Sequence, residues 1–446
     1  MWLQNRRQKA GGRNPDTRLS LAFLFCVVSW FLIIDSTLAQ TVDIPKLKAE
    51  TQHRIDTYLD KNHTLGDFYT ISDSGMVLFA TPEKKGKNEY EYFIRWDKLS
   101  FFQAAATDTR SKIPFQQRMY LMEHVQSDST TLPKPHPSNK TKPIDGIRIA
   151  LDPGHTAGTL ENGKLEQKYL EIKQDSVNGI PKDVELVEGQ LTMRTALILK
   201  KKLEEAGAEV MLTRKPDETA FGISYAEWKK KYLHQALDSL VKCKSITPQK
   251  KTFILTKAKD KQIFMEVFRD IELRKRADLI NDFLPDITVI IHYNVDEKNV
   301  DWKKLSDKNY VMTFIGGAMT PAELNKSEKR FEFLRLALCN DLDKSEKLSS
   351  CVVQRFSQTL NVPVAAKNDA TYLHDNCLTT SSSGVYCRNL ILCRIVHSTL
   401  VYGETLYQDN REECYRLMQV SDSDPGRVQE VAQAYYAGIL DYFTKK

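Results

Sequence analysis

Strands and helices alternate through residues 144–446, and that alternation constrains the fold more than any other feature of the chain. Ile147, Ile149 and Leu151 alternate as a half-buried strand does, over 147–152. A helical pattern follows at about 189–206, a strand at 209–213, a helix at about 266–283 and a strand at 287–292. In the first helix Leu191, Thr195, Ile198, Leu199 and Leu203 share one face, and Gly207 offers a C-terminal cap. Further strands are expected within NYVMTFIGG and STLVYGE, and VQEVAQAYYAGILDYF reads as a closing amphipathic helix. The βαβαβ order predicts an α/β domain built on a mostly parallel twisted sheet with helices on both faces. Stretches 156–187, 215–265 and 295–385 interrupt this plan and are expected as insertions. The middle one, Lys-rich and helical, reads as a solvated hairpin.

The chain ahead of residue 144 has a different composition. Arg6, Arg7, Lys9, Arg13 and Arg18 precede the apolar run LSLAFLFCVVSWFLII, and small residues end at Ala39. A basic head, a short apolar run and a small-residue site read as a secretory signal over 1–39, with an uncleaved anchor as the alternative. Residues 40–125 open with a helix-like stretch and continue into alternating aromatic segments, which suggests a small α+β module. QSDSTTLPKPHPSNKTKP at 126–143 has linker composition. The formal net charge of +6, half of it in the leader, is too mild to indicate nucleic acid. Beyond Cys26 the chain has cysteines at 243, 339, 351, 377, 387, 393 and 414, an odd number without any CxxC pair. Export permits disulfides, and buried free thiols fit equally well.

The strand at 147–152 runs straight into Asp-Pro-Gly-His, so His155 stands at a carboxyl end of the sheet, where ligands gather in α/β folds. Three other positions share that placement. Glu188 opens the first crossover helix, His292 ends ITVIIH, and Glu404 ends STLVYGE. All four should converge at one edge. Two imidazoles and one carboxylate, with a fourth position open, form the ligand set of a hydrolytic zinc site, and a second acid beside them has another task. Taken singly, Glu188 could simply favour its helix's positive end, and His292 could be a satisfied core histidine. Joint placement argues against both. Asp152 either orients His155 or stabilises the turn. His234, His374 and His397 have no motif around them and read as structural or surface residues.

Four blocks carry a family resemblance. They are IALDPGH, then VEGQLTMRTALILKKKLEEAGAEVMLTR, then Arg276 and Asn281 leading into IIHYN, and finally VYGETLYQDN, from Glu404 to Asn410. In this order and with this spacing, residues 145–446 resemble the zinc-dependent N-acetylmuramoyl-L-alanine amidases of the type-3 family. The resemblance implies that His155, Glu188 and His292 bind Zn2+ and that Glu404 is the catalytic acid/base. It also implies a peptidoglycan substrate and an exported, periplasmic or envelope location. A regulatory protein could act through the 40–125 module or through an inserted helix. The stretch TPAELNKSEKRFEFLRLALCNDL at 320–342 reads as such a helix, either covering the cleft or packed on the sheet. No nucleic acid is implied, and a monomer is expected. The chain departs from the family's pattern at Thr156, in place of glycine, at Ile291, in place of serine, and in the long gap from His155 to Glu188. Two other readings belong beside the hydrolase: a wall-binding protein that keeps the amidase shape, and a zinc amidase or peptidase acting on another envelope amide.

Overall fold

The computed structural model describes residues 43–107, 142–156, 158–419 and 426–444. The leader at 1–39 and nearly all of the linker at 126–143 lie outside the described residues. Ile44 to the C-terminus forms one compact unit. No helix among the described residues is long and apolar enough to cross a membrane.

The unit opens with helix α1 (Ile44–Arg54) and an antiparallel sheet of β1 (Tyr69–Ile71), β2 (Gly75–Phe79) and β3 (Tyr90–Arg95). The central sheet has seven strands. They are β4 (Arg148–Pro153), β7 (Glu209–Leu212), β8 (Ile287–Asn294), β9 (Met312–Ile315), β10 (Cys377–Thr379), β11 (Val385–Arg388) and β12 (Thr399–Tyr407), in the spatial order β10-β11-β9-β12-β8-β4-β7. Strands β5 (Tyr169–Ile172) and β6 (Val184–Val187) form a separate hairpin in the 156–187 insertion, after helix α2 (Leu160–Glu166). Neighbours β7, β4, β8 and β12 run parallel, as the βαβ units require; β9 returns antiparallel to β12, and β10 is antiparallel to β11. The expected α/β sheet is therefore present, with a mixed edge supplied by the third insertion.

Helices cover both faces, which is why β4 and β8 are apolar on consecutive residues. Ile149, Leu151, Val289 and Ile291 pack with Leu199 and Leu203 of α3 (Glu188–Glu205), with the later helix Asp341–Leu360, and with the closing helix Gly426–Thr444. Ala150 and Ile290 point the other way, onto Ala277 and Ile280 of a helix at Arg269–Phe283. The 215–265 insertion folds as helices, α4 (Tyr225–Lys242) and α5 (Pro248–Thr256), and packs Trp228, Leu237, Ile254, Phe264 and Phe268 into a core of its own. Calling the helix at Arg269–Phe283 α6, the next long one, α7 (Ser327–Leu338), is the inserted helix anticipated at 320–342. Its Arg335 Nη2 donates to the Arg394 carbonyl at 2.8 Å, and its Glu332 lies 3.1 Å from His397. Both partners precede β12, whereas Glu404 lies toward that strand's carboxyl end. The helix thus packs at the opposite end of β12 from Glu404 and does not cover it. His397 is accounted for by this hydrogen bond, while His234 and His374 are exposed.

Residues 44–107 rest on the same insertion. Ala318 and Met319 N–H donate to the Tyr58 and Leu59 carbonyls at 2.8 and 2.7 Å, and Tyr58 Oη donates to Glu346 at 2.6 Å. At Gly317 a Cβ would come within 2.0 Å of the Tyr58 carbonyl oxygen, so glycine is required for this approach.

A buried ionic cluster underlies the β4 carboxyl end. Arg276, on α6, donates to Asp152 at 3.1 Å, to the Pro153 carbonyl at 2.9 Å and to Glu272 at 2.7 and 2.9 Å, and it also reaches the His155 carbonyl. Arg214, just after β7, donates to the Pro153 and Gly154 carbonyls at 3.1 Å and to Gly189 at 3.0 Å. Removing Arg276 would strand two buried carboxylates. We expect Arg276→Met to cost about 3–5 kcal/mol of stability, measured as a fall in the urea midpoint at unchanged m-value; a midpoint near that of the parent would show that the cluster is not stabilising.

Candidate metal centre

His155 lies in the left-handed region, at φ +63°, which a β-carbon makes unfavourable. The arginine contacts to the carbonyls on either side hold the turn in that shape. Gly154 beside it has no substitute, because a Cβ there would meet the His292 ring at 2.3 Å. Glu188 is the first residue of α3, where the helix's positive end favours a carboxylate, and it is 1% exposed. His292 sits on β8 one strand over from β4, stacked on the Tyr402 ring at 4.5 Å with only 6° between their planes.

These three elements bring three donor atoms together. Glu188 Oε1 lies 2.8 Å from His155 Nε2 and 3.2 Å from His292 Nδ1, and the two ring nitrogens are 3.1 Å apart. Glu188 Oε1 also accepts the Tyr293 N–H at 3.1 Å, while Oε2 is buried with no partner among the described residues. His155, Glu188 and His292 are a group that could hold a metal ion. Tetrahedral zinc with N and O ligands at about 2.0–2.1 Å sets its ligand atoms about 3.3 Å apart, close to the edges of this triangle. The charges suit a cation as well. Burial opposes the Glu188 carboxylate, yet His155 and Lys168 beside it hold it well below its usual range. Burial would lower His155, but the Glu188 and Glu166 carboxylates bring it to about 9; burial and the His155 charge lower His292 to about 4. The proton on His155 is the one a bound cation would displace.

A second carboxylate stands behind His155. Glu166, the last residue of α2, places Oε1 3.1 Å from His155 Nδ1 and accepts the Thr156 N–H on Oε2 at 3.1 Å. A carboxylate on the far nitrogen of a ligating imidazole fixes its tautomer and raises its basicity. Sequence reasoning missed Glu166, because it lies in the unusually long gap between His155 and Glu188 and no motif surrounds it. Asp152 does not take this role. It accepts from Thr213 and Arg276 and so secures the turn.

Glu404 is paired in register with His292, across from β8 on β12, and stands outside the three-donor group. Its Oε2 is buried without a partner among the described residues. Burial, then the Glu188 charge, push its carboxyl up to about 8, while Lys168, Arg388 and His155 pull the other way. Lys168 holds its ammonium 4.7 Å from the Trp302 ring centroid. Asn410, in the same sequence block as Glu404, caps the following turn through the Glu412 and Glu413 N–H groups. Cys243, Cys339, Cys377, Cys387, Cys393 and Cys414 are free thiols.

No protein-family model matches the chain, and no curated protein matches it. Solved structures do resemble it at low identity. The CwlD amidase from Clostridioides difficile, solved in complex with the GerS lipoprotein, is 17% identical, with 67% of this chain and 100% of that one covered and a TM-score of 0.37. The N-acetylmuramyl-L-alanine amidase Ami1 from Mycobacterium smegmatis is 14% identical, with 68% and 99% covered and a TM-score of 0.37. The catalytic domain of CwlV, an N-acetylmuramoyl-L-alanine amidase from Bacillus (Paenibacillus) polymyxa var. colistinus, is 16% identical, with 67% and 99% covered and a TM-score of 0.33. Likeness at this level decides neither activity nor substrate.

If Glu166 orients His155, Glu166→Gln should weaken metal binding by about 10–100-fold. Chelator competition on the folded variant measures this, and an affinity equal to the parent's would leave Glu166 as packing only.

Proposed function

We propose that the chain is a zinc-dependent hydrolase that cuts the amide joining the lactyl group of N-acetylmuramic acid to L-alanine of the peptidoglycan stem peptide. Export by the 1–39 leader to the envelope, and the division into a 40–125 module and a 144–446 catalytic domain, belong to the same reading. The observation that carries it is the convergence of a three-donor group with a separate carboxyl on the adjoining strand, one oxygen of which is buried without a partner among the described residues. The family-like blocks around those four residues supply the substrate class.

His155, Glu188 and His292 would hold the ion, leaving a fourth position open. Zinc in such a site supplies Lewis acidity toward a carbonyl and toward water. The chain's own residues do the rest. Glu166 keeps His155 presented through Nε2. Glu404, raised toward neutrality by burial, is suited to accept the proton of the attacking water and to return it to the departing amine. Its protonated carboxyl would then be uncharged beside Glu188, which relieves the repulsion between the two acids.

Two measurements test this. Peptidoglycan digested by the chain should yield stem peptides with free L-alanine amino termini and intact lactyl groups by mass spectrometry; released reducing sugars would sink the reading. Glu404→Gln should keep its full zinc content and lose about 10²- to 10⁴-fold in turnover. Zinc lost in proportion to activity would instead make Glu404 a ligand.

A further inference from the structure

Aromatic rings lead away from the candidate centre across the face of the sheet. Tyr402 stacks on His292, Phe314 on β9 is 6.0 Å from Tyr402, and Tyr372 is 6.4 Å from Phe314, ring centroid to centroid. The row ends at Arg388, the last residue of β11. Its guanidinium carbon lies 5.1 Å from the Phe314 centroid and 4.8 Å from that of Tyr372. Tyr372 is itself held by Asn294, two residues past His292, whose Nδ2 donates to Tyr372 Oη at 2.8 Å.

Arg388 differs from the other arginines in one respect. Every other described arginine that is not exposed donates to a carboxylate, a carbonyl or an amide oxygen. Half-buried Arg388 lies over two rings and close enough to Glu404 for its charge to act there, but makes no hydrogen bond or ion pair among the described residues. A ring supplies no lone-pair acceptor to the N–H groups of the planar fork, and that fork matches a carboxylate with two parallel bonds. A partly desolvated cation without an acceptor is costly unless another molecule supplies one. Lys168, held over Trp302 and likewise without a described acceptor, adds a second positive charge near Glu188 and Glu404.

We infer that Arg388 is the receptor for a carboxylate on the substrate, and that the partly exposed rings of Tyr402 and Tyr372, backed by fully buried Phe314, flank the path of the peptide portion between it and His292. This rests on the amidase reading and deepens it: the substrate is an acyl-peptide amide that carries a free carboxylate on the residue following the alanine, and amidation of that carboxylate removes the anchor.

Equilibrium binding to the zinc-loaded Glu404→Gln chain tests this without turnover. The probes are N-acetylmuramoyl-L-alanyl-D-glutamate with free carboxylates and the same compound with both carboxylates amidated. The free-carboxylate probe should bind at least about tenfold more tightly, in line with a charge-assisted bidentate pair. Adding Arg388→Met should collapse that ratio to within about twofold, and Arg388→Lys, which keeps charge but loses the fork, should restore part of it. Zinc content and melting temperature report whether each variant folds, and Arg388→Gln replaces Arg388→Met if the latter does not. Equal binding of the two probes, no binding of either, or a preference that survives loss of Arg388 would overturn the inference. Its failure is separable from that of the amidase reading: wall amides cut without carboxylate preference sink only this inference, while a carboxylate preference in a chain that cuts no wall amide sinks only the hydrolase.

Discussion

The grip of two buried arginines on three consecutive carbonyls is the interaction on which the candidate centre depends. Arg276 and Arg214 come from different elements and converge on Pro153, Gly154 and His155, where the chain leaves β4 in a conformation it would not otherwise hold. Backbone carbonyls buried at such a turn need donors, and cationic donors satisfy several at once. Asp152 and Glu272 neutralise Arg276 in turn. The sheet's parallel order, the start of α3 and the end of β8 place the other donors, but His155 faces them only because this turn is held.

Much of this was legible in the chain because it is repeated in pattern. The strands at 147–152, 209–213 and 287–292 and the helices between them follow periodicities of two and 3.6 residues that burial on two faces imposes. His155, Glu188, His292 and Glu404 were legible for a related reason: each ends a strand or begins a helix on the same edge, so topology alone brings them together. Glu166 was not, since it closes a seven-residue helix in an insertion whose path no period announces. The reversal at β9 to β11 was equally hidden. A short buried strand reads the same in either direction, and only its partners decide. The helix at Ser327–Leu338 shows the limit from the other side: its apolar face was visible, but not which end of the sheet it would cover.

The insertions also differ in how they are held. The 215–265 helices bury a core of their own, with the Phe268 ring in contact with both Trp228 and Phe264. The stretch from β9 to β11 shares its core with the sheet and with residues 44–107. The first therefore behaves as an attached unit. The second is part of the wall that carries Phe314, Tyr372 and Arg388, so sequence changes there reach the candidate site through the strands themselves.

The two histidines of the centre present different nitrogens, His155 its Nε2 and His292 its Nδ1. Nδ1 is three bonds from Cα and Nε2 four, so the β8 backbone stands one bond closer to the shared point than the turn after β4. This asymmetry explains why the ring of His292 presses back on Gly154, whose missing side chain makes room for it. It also gives the two positions distinct chemical equivalents: an aspartate oxygen matches the reach of the nitrogen at 292, and a glutamate oxygen matches that at 155. The site is thus one of unequal arms, and a ligand exchange that ignores their lengths would pull the sheet and the turn toward each other by the length of a bond.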